Sequence, residues 1–229
     1  AVATFKKALA INPDFVEAHH NLGLAFRRLG MLEDAVASFH KALAIKPDYV
    51  EALTNLGLVL QELGKLTGAV ASYQKALAIK PDLADAHYNL GNAFKKLGQL
   101  DEAVTSYQQA LAIKPDLIEA RNNLGNAFLE LGQLEEAGES FRKILAINAD
   151  FVAAHNNLAN VLHKLGRPDE AVESYRNALA IKPDYAEAHS NLGFAYQELG
   201  RLDEAVACYR QALAFKPSFA EAYRNLGSA

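Results

Sequence analysis

The side chains in this sequence whose type and spacing point to chemistry are asparagines. Asn21, Asn55, Asn89, Asn123, Asn157, Asn191 and Asn225 stand 34 residues apart along the 229-residue chain. In the middle of the chain Asn92, Asn122, Asn126, Asn156 and Asn160 join them, with Tyr88 beside Asn89. An amide side chain carries two N–H donors and a carbonyl acceptor. A row of them at constant spacing therefore matches the N–H and C=O groups of an extended peptide, whatever its side chains. That is recognition chemistry rather than bond-making chemistry.

The bond-making candidates are weak. Cys208 is the single cysteine, and its equivalents 34 residues apart are Thr4, Ser38, Ser72, Ser106, Ser140 and Ser174. The position asks for a small side chain, and no histidine stands at a helical spacing that would activate a thiol there. His19, His87, His155 and His189 share one register position. Neighbouring helices lie ~8–10 Å apart or more, too far for two such residues to share a zinc ion. His20, His40 and His163 have no partner at metal-ligand spacing. There is no phosphate loop, no HExxH and no carboxylate pair with a recurring base. The sequence thus predicts no catalytic residue, no metal and no cofactor, and the chain is not itself expected to be an enzyme.

The elements that must position the asparagines are equally periodic. Residues 84–117 form one unit whose pattern extends over everything before and after it, and a period in this range marks a solenoid of stacked supersecondary units. His87, Leu90, Gly91, Phe94 and Leu97 lie at helical steps, and Gly98 ends that helix. Leu100, Ala103, Tyr107, Ala110 and Leu111 build a second helix up to Pro115, whose ring cannot continue it. Asp116 with Glu119, like Asp14 with Glu17 and Asp48 with Glu51, reads as an N-cap followed by a reciprocal carboxylate. Small residues recur where two helices must come close: Gly23, Gly57, Gly91, Gly125, Ala159, Gly193 and Gly227 in the first helix, and Ala35, Ala69, Ala103, Ala137, Ala171 and Ala205 in the second.

This order of small, aromatic and proline positions resembles the tetratricopeptide repeat (TPR) over essentially the whole chain. The family's second-helix aromatic is present as Phe39, Tyr73, Tyr107, Phe141, Tyr175 and Tyr209. The early first-helix Trp is replaced by His19, Leu53, His87, Arg121, His155, His189 or Tyr223. The resemblance implies an all-α fold, a right-handed superhelical solenoid of antiparallel helix pairs, whose first helices line a concave groove. It also implies that the second, fifth, sixth, ninth, twelfth and thirteenth residues of each unit face that groove, which places the asparagines there. The row is similar to the asparagine ladder of the TPR region of O-linked N-acetylglucosamine transferase. The carboxylate clamp of chaperone-binding members is not expected, because the second positions are Glu17, Glu51, Asp85, Glu119, Ala153, Glu187 and Glu221. The thirteenth positions alternate in sign, Arg28, Glu62, Lys96, Glu130, Lys164 and Glu198, and suggest a ladder of ion pairs between units.

The expected organisation is a single solenoid, 1–229, with complete repeats at 16–49, 50–83, 84–117, 118–151, 152–185 and 186–219. A half repeat at 1–15 and a partial one at 220–229 flank them. Both ends fall inside a repeat and residue 1 is not Met, so the sequence reads as part of a longer array, and head-to-tail self-association follows as an expectation. A formal charge of −4 argues against nucleic acid or an anionic membrane as the main partner. A lone cysteine fits a reducing compartment, and a cytoplasmic location is the expectation. The functional reading is a protein-interaction module that binds an extended protein or peptide segment. The alternatives are the substrate-recognition arm of a larger enzyme such as a glycosyltransferase, or a self-assembling scaffold. The fourth unit departs most from its siblings, with Gly138, Ile144 and Ala149 where Val, Ala and Pro stand elsewhere.

Overall fold

The computed structural model describes all 229 residues, and every regular element is a helix. The first helices of the repeats are α2 (Val16–Arg28), α4 (Val50–Glu62), α6 (Ala84–Lys96), α8 (Ile118–Glu130), α10 (Val152–Lys164), α12 (Ala186–Glu198) and α14 (Ala220–Ser228). The second helices are α1 (Val2–Ile11), α3 (Leu32–Ile45), α5 (Leu66–Ile79), α7 (Leu100–Ile113), α9 (Leu134–Ile147), α11 (Pro168–Ile181) and α13 (Leu202–Phe215). Two compact units emerge, Ala1–Ala120 and Arg121–Ala229. In the first, α2 packs on α3, α4 on α5 and α6 on α7, while α3 meets α4 and α5 meets α6. In the second, α9 through α14 follow the same rule. Connections of three or four residues leave each helix no choice but to run back beside its predecessor.

The turn within each repeat is closed by glycine. Gly98 has φ 76°, a left-handed value that costs an L-residue energy and glycine almost none. Its N–H donates to the Lys95 carbonyl at 3.0 Å and the Gln99 N–H to the Phe94 carbonyl at 3.0 Å, the two bonds of a Schellman cap. Pro168 occupies the first turn of α11, where its missing N–H would be unpaired in any case.

The turn between repeats differs from the sequence expectation. The aspartates do not cap the first helices: the N-cap residues are Phe15, Tyr49 and Leu83, and none makes a side-chain cap bond. The cause is a tight backbone turn, in which the Phe15 N–H donates to the Asn12 carbonyl at 3.3 Å and the Tyr49 N–H to the Lys46 carbonyl at 3.2 Å. Asp14 and Asp48 lie inside these turns, one residue too early to reach the free amides. Glu17 and Glu51 remain in the first turn, where the positive end of the helix dipole favours a carboxylate.

The core is a strip of glycine-on-ring contacts. A Cβ built on Gly57 would meet Tyr73 Cε1 at 2.6 Å, and one on Gly91 would meet Tyr107 Cε1 at 2.6 Å. The missing side chain is what lets the ring of the second helix lie flat on the first. Tyr73, Tyr107 and Tyr209 are 0% exposed, each contributing ~1.5–3 kcal/mol through burial. In the fourth unit Ile144 is also wholly buried, and the space beside Gly138 is bounded by Val161 of the next helix, 3.4 Å from where a Cβ would stand. Arg142 of the same helix bounds that space at the same distance, and Ile144 does not.

Candidate functional site

A buried tyrosine hydroxyl needs a hydrogen-bond partner, and four of the second-helix rings find theirs on a first helix. Tyr107 Oη donates to Asn92 Oδ1 at 2.8 Å and Tyr175 Oη to Asn160 Oδ1 at 2.6 Å. Tyr73 and Tyr209, whose repeats carry Leu58 and Phe194 at the ninth position, donate instead to Gln61 and Gln197 at the twelfth, at 3.4 and 2.9 Å. Where the ring is Phe39 or Phe141, the twelfth position is Arg27 or Leu129. At the twelfth position, therefore, an amide accompanies a tyrosine whose repeat lacks Asn at the ninth. Burial drives the Tyr175 phenol far above its ordinary range, so it stays a donor.

Ninth-position amides also accept from the first helix of the following repeat. Asn191 Nδ2 donates to Asn160 Oδ1 at 3.2 Å, and Asn157 Nδ2 donates to Asn126 Oδ1 at 3.2 Å. Asn160 Oδ1 thus accepts from both Tyr175 and Asn191, and its orientation is fixed with the oxygen inward. These bonds leave the Asn160 N–H groups as donors and Asn191 Oδ1 as an acceptor, and both residues line a cavity of about 190 Å³ with His163 and Phe194. Bonding within the chain therefore orients these amides rather than using them up.

The other candidate residues divide according to their surroundings. Asn55 Nδ2 donates to His20 Nε2 at 3.1 Å and to its own helix at Glu51 O, 2.8 Å away. Because an N–H₂ group can only donate, His20 carries its proton on Nδ1, which faces Tyr49 Oη at 3.4 Å. Burial lowers the His20 pKa, against an opposing pull from Glu51. Asn89 has Leu58 rather than an amide at the ninth position of the preceding helix; together with Tyr88 it lines a cavity of about 780 Å³. Asn156 is only 5% exposed and donates to Asn157 Oδ1 at 3.4 Å. The side-chain carbonyls of Asn156 and Asn122 are buried without a hydrogen bond. Asn21 is exposed, and Asn123 and Asn225 are half-buried.

The charges pair one residue out of the expected register. Glu62 is held by Arg27, whose Nε and Nη2 donate to Oε1 at 2.9 and 2.6 Å, and not by Arg28. Glu198 accepts from His163 Nε2 at 2.6 Å, and not from Lys164. The partners are 35 residues apart, whereas the amide pairs are 31 apart. Between α10 and α12 the Asn160–Asn191 and His163–Glu198 pairs lie along one seam, since 160 and 163, and 191 and 198, fall on one face of their helices. These pairs are partly exposed, each contributing ~0–1 kcal/mol.

The recurrent histidines latch the turn between repeats. Nε2 of His19, His87, His155 and His189 lies 2.7–2.9 Å from the carbonyl of Pro13, Pro81, Ala149 and Pro183 respectively. A carbonyl can only accept, so Nε2–H is the donor in each. Burial lifts the Cys208 thiol to about 11, which leaves it protonated and a poor nucleophile. No group of three or more His, Cys, Asp or Glu side chains is placed to hold a metal ion, and no helix is long and apolar enough to cross a membrane.

Solved structures share this fold. YrrB, described as a TPR protein with an unusual peptide-binding site, is 26% identical with a TM-score of 0.74, covering 82% of this chain and 97% of its own. MamA is 26% identical with a TM-score of 0.69, over 72% of this chain and 97% of its own. PilF of Pseudomonas aeruginosa, at 23% identity and a TM-score of 0.74 over 93% and 97% of the two chains, shares the fold. No curated protein matches the sequence. The fold is an all-α TPR solenoid, and the chain belongs to the family of the cilia and flagella-associated protein 70 C-terminal domain, whose model matches residues 1–229.

Proposed function

We propose that this chain is a protein-interaction scaffold whose first-helix face holds an extended protein segment mainly through its backbone. The observation that carries this reading is the relay from Tyr175 through Asn160 to Asn191. It leaves a fixed N–H donor and a fixed carbonyl acceptor, which is the complement of a peptide's own C=O and N–H. Fixing the amides beforehand removes part of the ordering cost of binding. In the unit Ala1–Ala120, Asn89, with no such tether, supplies an adaptable amide beside the cavity of about 780 Å³. The peptide-binding site named for YrrB supports a similar use of this fold here.

Side-chain amide resonances test this. Titrating ¹⁵N-labelled protein with an extended peptide should shift the Nδ2 signals of Asn89 and Asn160 while leaving the buried Asn156 signal in place. Saturable binding that leaves Asn89 and Asn160 unmoved contradicts the reading.

A further inference from the structure

The cavity of about 780 Å³ beside Asn89 is charged in a way that the chain uses elsewhere to hold a cation. In the repeat 186–219 the second-position carboxylate, Glu187, accepts from Lys216 Nζ at 2.7 Å. That bond, with smaller contributions around it, holds the Glu187 carboxyl below its ordinary range. Glu51 and Asp85 occupy the same second position in their repeats, and both line the cavity without an ion pair. Asp82 is a third carboxylate there. Lys80 and Lys114, the counterparts of Lys216, also line it and are unpaired. Both follow the last turn of a second helix, where the negative end of the helix dipole favours a cation. Three carboxylates against two ammonium groups leave the cavity net negative.

The wall between these charges suits a long basic side chain. Leu58 and Ile113 offer apolar surface to an aliphatic stem. Tyr88, whose ring centroid lies 6.2 Å from that of Tyr107, adds an aromatic ring to the lining, and such a ring attracts a cation. We propose that this cavity is the subsite for a cationic side chain, arginine or lysine, of the bound segment, with Asp85 and Glu51 as its counter-ions; the inference rests on the peptide-binding reading of this face. Lys80 and Lys114 compete for the same carboxylates, as Lys216 does successfully at Glu187. The ligand's cation therefore enters where the chain's own lysines have left the carboxylates open.

The test uses the full chain and three synthetic 12-residue peptides of one Ser/Thr/Ala sequence, differing only in a central arginine, citrulline or glutamate. Citrulline keeps the shape of arginine and removes its charge. By fluorescence anisotropy the arginine peptide should bind about fivefold more tightly than the citrulline peptide, and the glutamate peptide more weakly still. Asp85→Asn with Glu51→Gln should abolish the preference while the thermal melt is retained, and Lys80→Met should widen it. Equal affinity for arginine and citrulline, or a preference that survives Asp85→Asn with Glu51→Gln, overturns the inference and leaves the backbone reading standing. Binding of none of the three peptides overturns both. Should the double variant unfold, Tyr88→Leu provides the second probe. It should reduce the arginine preference, and an unchanged preference then counts against the proposal.

Discussion

Asn89 on α6 and Asn191 on α12 are the same residue at the same position of the repeat, yet they are held differently. Asn191 is tied to Asn160, which in turn satisfies Tyr175. Asn89 stands behind Leu58, which has nothing to accept with, and so turns to the cavity. The job of an asparagine in this array is thus set by what the helix before it presents: an amide at the ninth position for Asn191, His20 at the fifth for Asn55, and Leu58 for Asn89. A tied amide contributes to stability and presents one fixed polar group, while an untied amide adds no such bond to stability.

The comparison can be broken most forcefully at its tied end. Asn160→Ala leaves the Tyr175 hydroxyl buried without an acceptor and frees Asn191, and should lower unfolding stability in urea by ~1–3 kcal/mol. Asn89→Ala should change it by no more than about 0.5 kcal/mol. Adding Tyr175→Phe to Asn160→Ala should recover part of the loss, because the chain already pairs Phe141 with a repeat that needs no hydroxyl acceptor. Equal losses at Asn89 and Asn160 would mean that register, and not the partner, decides.

A transplant sharpens the same point. Leu58→Asn gives Asn89 the acceptor it lacks, and a double-mutant cycle between Leu58→Asn and Asn89→Ala should show a coupling of about 0.5–1.5 kcal/mol. No coupling would show that the helices approach differently at the two sites.

The smallest effect concerns the third arrangement, Asn55 tied through His20. Burial lowers the His20 pKa below the ordinary imidazole value, so near that value the unfolded chain binds more protons than the folded one. Stability from this group is therefore complete above the ordinary imidazole pKa and is lost as pH falls through the lowered one. Between about pH 7.5 and about pH 5 the wild type should lose more stability than His20→Asn, a residue the chain already places there as Asn122 and Asn156. Identical slopes would remove His20 from the account.

The sequence carries the helix pairs openly, because Gly98 and its equivalents, the rings on Gly57 and Gly91, and Pro168 each act within one repeat. What it hides lies between repeats. Aspartates 14 and 48 read as caps, since spacing alone does not reveal that a backbone bond from Phe15 to Asn12, or from Tyr49 to Lys46, encloses them in a turn. The ion pairs and the amide relay escape a reading at 34 residues because neighbouring helices meet at offsets of 35 and 31. Scanning for complementary residues at those two offsets would have found Arg27 with Glu62, His163 with Glu198 and Asn126 with Asn157. The link between tyrosine and amide was also present in the sequence, as Gln61 and Gln197 accompanying Tyr73 and Tyr209 where the ninth residue is not Asn. The row of asparagines was legible as a row, but not which of its members are tied.

The central claim is that these oriented amides hold a backbone. The direct measurement compares an extended peptide with two relatives: one scrambled around a fixed central arginine, and one with the original sequence but alternate backbone nitrogens methylated. Scrambling should leave the affinity for the full chain nearly unchanged, whereas each N-methyl group that removes a bonded N–H should cost ~0.5–1.5 kcal/mol. A scrambled peptide that no longer binds, beside an N-methylated one that binds as before, would contradict the account.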